Sequence, residues 1–349
     1  MRLLAANRFA VHRSRWRVAA LATAASLVNS ALGLGQRAVH GRRIAATPVA
    51  RGPVFILGHW RTGTTLLHEL LGRDPRHAFP TTYECFAPHH FLLTRPWLPR
   101  LLARLGPTRP MDRMAAGYDR PQEDEFALCL LGQPSPYRRI AFPNRAPAGD
   151  GSLDLCGLSP RALRRWKEAY HHLVQAWTLA HGGRRLVLKS PPHTCRVGTL
   201  LELFPDARLV HVVRDPYDVY PSTLHLWRVL YGLWGLQRPT WEGLPELVLD
   251  TFTQVYDRLE EGKRLIPPGR FIEVRYEDLV RDPVAQVEVV YHGVGLGDFA
   301  PARPHVEEYV AGMKGYEVNR YLLTPDERRT VTRRWGEVIR RYGYALRAD

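Results

Sequence analysis

One short segment, residues 53–65, constrains the fold of this chain more than any other. Residues 53–58 (Pro-Val-Phe-Ile-Leu-Gly) have the length and composition of a buried parallel strand. The chain continues as Gly58-His-Trp-Arg-Thr-Gly63, and an apolar run of helical character follows over 64–72. Two glycines in this arrangement, between a strand and a helix, are typical of a loop that binds phosphate through backbone N–H groups. The segment therefore predicts an α/β fold with an anion site after its first strand.

Three further apolar runs have the length of strands, at 185–189, 208–214 and 270–275. Segments with helical spacing lie at 166–180, 197–204, 216–230 and 324–342. The Pro- and Arg-rich region 73–150 predicts helices and loops. Strands that alternate with helices form parallel sheets, so we predict a central parallel sheet flanked by helices in a single domain.

The composition indicates a globular protein with an anionic partner. Hydrophobic residues make up 45% of the 349 residues, which supplies a core and excludes general disorder. The 49 Lys and Arg residues outnumber the 34 Asp and Glu residues, and the net charge is +15. Such a surplus favours nucleic acid, a membrane surface or a phosphorylated small molecule as partner, and charge alone does not choose among them.

The cysteines indicate the compartment. Cys85, Cys129, Cys156 and Cys195 are too widely spaced for the usual metal-ligand or redox pairs. Their number is also low for a secreted disulfide scaffold. We therefore expect the protein in the reducing cytoplasm.

The N-terminal segment allows three interpretations. Residues 18–36 are 19 uncharged positions rich in alanine, and arginines flank them on both sides. A helix packed on its own domain, a helix lying at the inner face of the membrane, and a signal or membrane span all fit this pattern. We expect a basic, Ala-rich helical extension over residues 1–50 and the main domain over 51–349, with peripheral contact with an anionic membrane under the second interpretation.

The loop differs from the nucleotide-triphosphatase form in its charged residue. In that form a Lys follows the second glycine and a hydroxyl ligates Mg²⁺, whereas here Thr64 takes the Lys position and Arg61 supplies the charge. One guanidinium, several hydroxyls and backbone donors suit a single terminal phosphate without a metal. The candidate phosphate-binding residues are Arg61, Thr62, Gly63, Thr64 and Thr65. The alternative is a strand-to-helix corner that needs glycine only for its geometry.

Four segments resemble motifs of the sulfotransferases that use 3′-phosphoadenosine 5′-phosphosulfate (PAPS). Residues 61–65 (Arg-Thr-Gly-Thr-Thr) resemble the 5′-phosphosulfate loop of that family. Arg214 and Ser222, which follows it by eight residues, resemble the pair that grips the 3′-phosphate. Tyr276, followed by Glu-Asp-Leu, resembles the Tyr near the adenine, and Lys189, in a Leu-Lys-Ser-Pro sequence, resembles the catalytic Lys.

The resemblance covers about residues 50–290, and the segments at 121–126 and 135–137 are similar to a bacterial-type subgroup. It implies a P-loop, nucleotide-kinase-like α/β fold, and sulfuryl transfer from PAPS with 3′,5′-diphosphoadenosine (PAP) as product and no metal. The implied partner is a small-molecule or lipid acceptor with a hydroxyl, and nucleic acid is not expected. Lipidic alcohols and carbohydrates are both open as acceptors.

The resemblance and the chemistry of transfer together suggest the catalytic residues. Cations must stabilise the charge that develops on the leaving phosphate, and Arg61 and Lys189 are the candidates. A base must take the proton of the acceptor. Glu84 resembles the Glu of the tyrosylprotein and heparan enzymes, and His193 is the second candidate. The cluster Glu123-Asp124-Glu125 is the third, since at most one or two of its carboxylates can enter a site.

The acceptor side is less constrained. Pro191 stands where soluble members of the family have a His after the Lys, so their mechanism is not implied here. Trp227, Tyr231 and Trp234 share one helical face and suit either core packing or an apolar acceptor groove. Two other functions fit parts of the pattern, namely an ATP-dependent phosphotransferase with a modified P-loop and an inactive protein that binds anions or membranes.

Overall fold

The structure is a computed structural model that describes residues 1–103, 117–145, 151–313 and 321–347. Its centre is a sheet with the strand order β2-β3-β1-β4-β5. The strands are β1 Val54–Leu57, β2 His77–Ala78, β3 Arg185–Lys189, β4 Arg208–Val213 and β5 Phe271–Arg275. Each neighbouring pair is parallel, which confirms the predicted α/β fold with a central parallel sheet.

β1 is the central strand because all four of its side chains are apolar and buried. Val54 and Ile56 pack into the core on one face of the sheet, whereas Phe55 and Leu57 pack into the core on the other. Alternate side chains of a strand point to opposite faces, so a strand of this kind is stable only when helices cover both faces.

Helices cover both faces of the sheet and extend beyond it. They are α1 Arg2–Ala6, α2 Trp16–Ala45, α3 Thr64–Leu71, α4 Thr82–Phe86, α5 Phe91–Thr94, α6 Leu98–Ala103, α7 Asp124–Leu130, α8 Arg138–Ala141, α9 Pro160–Ala180, α10 Val197–Leu203, α11 Pro216–Trp234, α12 Leu244–Lys263, α13 Tyr276–Arg281, α14 Pro283–Gly293, α15 Arg303–Gly312 and α16 Pro325–Arg341. Helices α3, α13, α14 and α15 pack on one face, and α9 to α12 with α16 pack on the other.

The predicted elements are present with shifted ends. Helix α9 begins at Pro160, earlier than predicted, because Ser159 caps it and Pro160 occupies its first turn. The region 73–150 contains short helices as predicted, and also β2, whose two residues are too few to leave a pattern in the sequence. Residues 104–116 and 146–150 of that region lie outside the described residues. Helix α12 had no counterpart in the predicted pattern.

The N-terminal segment forms α1 and the long helix α2. Gly33, Gln36 and Ile44 of α2 are buried against the domain, and the Gln36 side chain accepts a hydrogen bond from the N–H of Leu92 at 2.8 Å. The first half of α2 is instead mostly exposed, with Leu21 at 73% exposure. Helix α2 therefore packs on the domain mainly through its second half, and Ala19 is the buried residue of its first half.

A buried ion pair fastens α7 to the domain. Arg196, just before α10, donates to Oε2 of Glu125 at 2.6 Å and to its Oε1 at 3.2 Å, and both side chains are fully buried. The Arg196 guanidinium also lies 5.0 Å from the centre of the Trp166 ring. These contacts fix the start of α7 relative to the end of β3.

Arg196→Met is expected to lower the free energy of unfolding by about 3–5 kcal/mol, because Glu125 is left as an uncompensated buried charge. The control, Arg281→Met, removes an exposed arginine whose partner Asp278 lies at the surface, and it should cost at most about 1 kcal/mol. Urea unfolding followed by circular dichroism measures both. Small and equal losses for the two variants would contradict this account of α7.

Candidate active site

The carboxyl ends of four parallel strands meet at one edge of the sheet, and predicted site residues follow each of them. Gly58 follows β1, Lys189 ends β3, Arg214 follows β4 and Tyr276 follows β5. Open α/β sheets bind their ligands outside this edge. The fold therefore brings the four sequence segments singled out above to one place.

The loop between β1 and α3 depends on two glycines with positive φ. The angle is 148° at Gly58 and 97° at Gly63. A Cβ on Gly58 would lie 2.7 Å from Thr62 Oγ1 and 2.8 Å from the carbonyl oxygen of Val212. A Cβ on Gly63 would lie 2.2 Å from Cδ2 of Tyr276. Both positions therefore need glycine for space as well as for conformation.

Side-chain hydrogen bonds hold this loop in shape. Thr62 Oγ1 donates to the carbonyl oxygen of His59 at 2.8 Å, and the N–H of Gly58 donates to Thr194 Oγ1 at 2.8 Å. Thr64 and Thr65 begin α3, and the first N–H groups of a helix have no acceptor within it. These donors and the positive end of the helix dipole favour a bound anion.

A second group of donors lies beside the loop. Arg61 Nε donates to Ser222 Oγ at 2.9 Å, and Arg214 Nη1 donates to the carbonyl oxygen of Arg61 at 3.1 Å. The Arg214 guanidinium lies 4.4 Å from the centre of the Tyr276 ring. Its Nε is buried without a hydrogen-bond partner among the described residues. A buried donor without an acceptor fits the anionic group of a ligand.

Lys189 and Glu123 form an ion pair next to the loop. Lys189 Nζ lies 2.7 Å from Glu123 Oε1 and 3.4 Å from Thr65 Oγ1. The side chain of Lys189 is buried, whereas that of Glu123 is 17% exposed. Glu123 is the residue immediately before α7, so the start of that helix determines where its carboxylate points. A cation and a carboxylate thus stand side by side at the phosphate loop.

Tyr137 holds the other oxygen of Glu123. Its hydroxyl donates to Glu123 Oε2 and accepts a hydrogen bond from Trp60 Nε1 at 3.0 Å. Burial and the nearby Glu123 charge raise the pKa of Tyr137 well above its usual value, so the hydroxyl keeps its proton. Because Trp60 belongs to the loop, this chain of hydrogen bonds ties the carboxylate of Glu123 to the phosphate loop.

Asp124 points the opposite way, into the domain. Its carboxylate accepts hydrogen bonds from Ser190, from Tyr170 at 2.5 Å and from His193 Nε2 at 2.8 Å. Burial alone would raise the pKa of Asp124, but His193 and these hydrogen bonds outweigh burial and hold the pKa at about 2. The network is buried and fixes the backbone directly after Lys189.

Glu84 lies in α4 and makes local contacts. Its Oε2 accepts from the N–H of Thr81 at 3.0 Å, which completes a capping box at the start of α4, and lies 3.1 Å from His181 Nε2. Arg95 is 3.9 Å from its Oε1. Among the contacts of the described residues, none joins Glu84 to Lys189 or to the phosphate loop. The helix cap and His181 both occupy Oε2, whereas Oε1 is buried and has no hydrogen-bond partner among the described residues.

The described part of the chain places three cations at this edge of the sheet, Arg61, Lys189 and Arg214. It contains no group of three or more His, Cys, Asp or Glu side chains that could hold a metal ion. All four cysteines are free thiols.

Three residues of the site, Tyr137, Tyr170 and Thr194, are not indicated by the sequence pattern. Tyr137 stood only within a segment similar to a bacterial-type subgroup. A tyrosine or threonine has no signal of its own when its partner lies beyond the local pattern. Tyr137 and Glu123 are 14 residues apart, Tyr170 and Asp124 are 46 apart, and Thr194 and Gly58 are 136 apart. Pro136, between Ser135 and Tyr137, indicates a turn, but it does not indicate which part of the molecule the turn contacts.

Comparison with known proteins gives a family and a close relative. A family model described as "Sulfotransferase family" matches residues 53–301. The omega-hydroxy-beta-dihydromenaquinone-9 sulfotransferase Stf3 of Mycobacterium bovis is 51% identical over 344 residues, which cover 99% of this chain and 88% of that protein. The protein of the same name from Mycobacterium tuberculosis has the same identity and coverage.

Two solved structures share the fold. The crystal structure of sulfotransferase STF9 from Mycobacterium avium has a TM-score of 0.70 and 21% identity, covering 91% of this chain and 83% of that one. Sulfotransferase STF1 from Mycobacterium tuberculosis H37Rv has a TM-score of 0.67 and 21% identity, covering 94% and 87%. At this identity the likeness concerns the fold alone, and it confirms the expected P-loop-like arrangement of sheet and helices.

Gly63→Ala tests the packing of the loop against Tyr276. The control is Gly132→Ala, because Gly132 also has a positive φ, of 76°, but a Cβ there would meet nothing within 4 Å. Gly132→Ala should cost about 1–2 kcal/mol for the backbone conformation alone. Gly63→Ala should cost at least about 1 kcal/mol more, since the Tyr276 ring must move. Equal losses in thermal or urea unfolding would contradict the close contact.

Proposed function

Since the chain belongs to the sulfotransferase family and is itself a sulfotransferase, we propose that PAPS is its donor and that a membrane lipid with a hydroxyl is its acceptor. Family membership bears out the predicted enzyme class. It argues against the ATP-dependent phosphotransferase and the inactive binding protein that the sequence had left open. The family implies a sulfate donor, and the choice of PAPS rests on two anion-binding groups at one edge of the sheet.

The proposal of PAPS as donor rests on two contacts beside the phosphate loop. Arg61 donates to Ser222, and Arg214 donates to the backbone of Arg61. PAPS is anionic at two positions of its ribose, with a phosphosulfate at the 5′ carbon and a phosphate at the 3′ carbon. We assign the 3′-phosphate to Arg214 and Ser222, where the buried Nε of Arg214 has no acceptor among the described residues. We place the adenine near Tyr276, whose ring packs against Arg214 and Gly63.

We assign the 5′-phosphosulfate to the loop and the start of α3. The backbone donors there and the hydroxyls surround a position for one terminal anionic group. The assigned residues are Arg61, Thr62, Gly63, Thr64 and Thr65. Lys189 reaches the same position, because its Nζ lies 3.4 Å from Thr65 Oγ1.

Transfer breaks the S–O bond to the 5′-phosphate and forms an S–O bond to the acceptor oxygen on the opposite side of sulfur. Negative charge builds on the leaving phosphate as PAP forms. Lys189 and Arg61 are the cations that we assign to this charge, and one preorganised donor at such a position is commonly worth about 100-fold or more in turnover. We expect no requirement for a metal ion.

We assign the general base to Glu123. Its Oε1 lies 2.7 Å from Lys189 Nζ, and its carboxylate is partly exposed, so an acceptor hydroxyl can reach it. When Lys189 turns toward the leaving phosphate, Oε1 becomes free to take the proton of the acceptor, while Tyr137 still holds Oε2. The ion pair thus positions both groups before the reaction.

The contacts of the other candidate bases favour structural roles. Oε2 of Glu84 caps α4 and contacts His181, while its buried Oε1 lies 3.9 Å from Arg95 and has no hydrogen-bond partner among the described residues. His193 is fully buried, and its Nε2 contacts Asp124. A general base must lie within hydrogen-bond reach of the proton that it removes. Of the three candidates, Glu123 is the one that contacts Lys189.

The proposed acceptor is the terminal hydroxyl of a long isoprenoid quinone. The relative that is 51% identical over nearly the whole chain is named for omega-hydroxy-beta-dihydromenaquinone-9. In this structure, aromatic rings lead from the surface toward Glu123, with centroid distances of 5.3 Å from Phe86 to Phe126 and 4.8 Å from Phe126 to Tyr137. Phe86 is exposed. Such an apolar series suits an isoprenoid chain better than a carbohydrate, which needs polar partners.

The aromatic face predicted on α11 divides in two. Trp227 and Tyr231 are buried, and Trp227 lies 5.5 Å from the Trp60 ring, so they pack in the core beside the acceptor side of the site. Trp234, at the end of α11, is exposed. We propose that residues 51–349 form the sulfotransferase domain, that residues 1–50 extend it, and that the enzyme acts in the cytoplasm against the inner face of the membrane.

Arg214→Ala is expected to weaken the affinity for PAP by about 10- to 100-fold, because a charge-assisted contact to the 3′-phosphate is lost. The affinity for adenosine 5′-phosphosulfate, which lacks that phosphate, should change little. Isothermal titration calorimetry with the two nucleotides in a chelating buffer measures both.

The control for this experiment is Arg228→Ala, which removes an exposed positive charge from the same helix as Ser222. It should leave both affinities unchanged. An equal loss of affinity for both nucleotides in Arg214→Ala would refute the assignment of the 3′-phosphate.

Glu123→Gln is expected to lower kcat by about 100- to 10 000-fold, because the amide cannot accept the proton of the acceptor. Binding of PAP should persist, since the loop and Arg214 are untouched. Release of PAP from PAPS in the presence of the lipid acceptor gives kcat, and calorimetry gives the affinity.

The matched variant is Glu84→Gln, which keeps an acceptor for the helix cap and removes the negative charge beside His181 and Arg95. It should lower the thermal stability of the protein while the folded enzyme keeps most of its turnover. Retained turnover in Glu123→Gln, together with loss of turnover in folded Glu84→Gln, would move the general base to Glu84.

A further inference from the structure

Residues 21–34 of α2 present an apolar stripe to the outside of the molecule. Leu21, Leu27 and Leu34 are 73%, 68% and 67% exposed, and Val28 and several alanines lie among them. The hydroxyls of Thr23 and Ser30 donate to backbone carbonyl oxygens one turn earlier in the helix, at 2.8 Å and 2.7 Å. Polar side chains that bond to their own helix interrupt an apolar surface very little.

The opposite side of α2 holds the helix against the domain. Ala19, Gly33 and Ile44 are buried on that side. The amide of Gln36 accepts from the backbone of Leu92, and the Asn29 side chain lies 3.1 Å from His90 Nε2. The stretch Arg13–Ala45 is long and apolar enough to cross a membrane by length and composition alone. These contacts instead keep it along the surface of the domain.

The charged residues of the N-terminal segment are all positive. Residues 1–51 contain nine arginines and no acidic residue. Arg13 and Arg17 lie at one end of the stripe and Arg42 lies at the other, and all three are exposed. Arginines that extend their stems over apolar surface are attracted to the headgroups of an anionic bilayer.

Exposed tryptophans stand next to the same end of α2. Arg15 donates to the carbonyl oxygens of Gly232 at 2.8 Å and Leu233 at 3.3 Å, which joins the start of α2 to the end of α11. Trp16 and Trp234, the residues that follow these contacts, are 46% and 58% exposed. Tryptophan is enriched where protein meets the headgroup region of a membrane. This cluster gives a second indication of a lipid surface, independent of the charge.

The domain-facing side of α2 lies close to the proposed entry for the acceptor. A Cβ on Gly33 of α2 would lie 3.3 Å from the His89 side chain, and His89 follows Phe86, the exposed end of the aromatic series, by three residues. His89 Nε2 lies 3.3 Å from the carbonyl oxygen of Leu130, whose exposed side chain ends α7. A membrane on the outer side of α2 would thus lie near the open end of the aromatic series, on the far side of this helix.

We propose that the exposed stripe of α2, with its terminal arginines and the tryptophans at its start, binds the surface of an anionic phospholipid bilayer and lies in the interface without crossing it. The role of this contact in catalysis rests on the proposed function, in which the acceptor is a long isoprenoid lipid that resides in the bilayer. Docking by α2 places the aromatic entry at the membrane, so the terminal hydroxyl of the lipid can reach Glu123 while its chain stays in an apolar environment.

Sedimentation of the full chain with vesicles tests the docking. Vesicles that contain phosphatidylglycerol should bind the protein, and vesicles of phosphatidylcholine alone should bind it much more weakly. The triple variant Leu21→Ser, Leu27→Ser, Leu34→Ser should lose at least about tenfold in partitioning to the anionic vesicles. Its control is Leu265→Ser, Val289→Ser, Leu322→Ser, which changes three exposed apolar side chains elsewhere and should bind like the wild type.

The charges are tested in the same assay. Arg13→Gln, Arg17→Gln, Arg42→Gln should lower partitioning by about 100-fold. The control Arg161→Gln, Arg164→Gln, Arg165→Gln removes the same charge from exposed positions of α9 and should have a smaller effect. Equal binding by the stripe variant and its control overturns the proposal. Bound protein that resists extraction by alkaline carbonate would indicate a membrane span and would also overturn the proposal. Loss of a dimer in the stripe variant, with vesicle binding unchanged, would overturn it as well, because the stripe would then be a dimer interface.

Turnover with a short, water-soluble hydroxyl acceptor separates docking from catalysis. The stripe variant should keep this turnover and lose only turnover of the lipid acceptor in vesicles. If the wild-type protein binds vesicles but transfers no sulfuryl group, the proposed function is refuted and the docking surface is supported. If the wild-type protein turns over the soluble acceptor but does not bind vesicles, only the docking surface is refuted.

Discussion

The ion pair between Lys189 and Glu123 is the interaction on which the candidate site depends. It joins the end of β3 to the residue before α7, two segments that are 66 positions apart in sequence. The Asp124 network and the Arg196–Glu125 pair fix α7 from inside the domain, so that Glu123 alone of three consecutive carboxylates faces the phosphate loop. The buried carboxylates of Asp124 and Glu125 thus anchor the start of α7 and determine where the carboxylate of Glu123 lies.

Much of this arrangement is encoded locally and was predictable. The strand before Gly58, the glycines of the loop and the strand-end positions of Lys189 and Arg214 follow from patterns within about ten residues, because parallel strands end at one edge. The choice among Glu84, Glu123 and His193 was not predictable. Spacing after the loop favours Glu84, but its carboxylate completes a capping box with Thr81, and the partners of the other two residues come from distant segments.

The positive charge of the chain has more than one use. Arg61, Lys189 and Arg214 lie at the edge where the donor is proposed to bind. Arginines of the tail helix α16 are engaged with acidic residues, as in the pair of Arg334 with Glu246 at 2.9 Å, so much of that charge is structural. The arginines of residues 1–51 have no acidic neighbour in their own segment, which is why an external anionic surface is the partner that we assign to them.

The central claim is that this chain moves a sulfuryl group from PAPS to the terminal hydroxyl of an isoprenoid lipid. The most direct measurement follows ³⁵S from labelled PAPS, in the presence of a chelator, into an omega-hydroxylated polyprenyl quinone and into the same quinone without the hydroxyl. The account predicts label in the hydroxylated lipid only, with one PAP released for each product formed. Label in neither lipid but in a carbohydrate acceptor, or transfer only when a divalent metal is added, would contradict it.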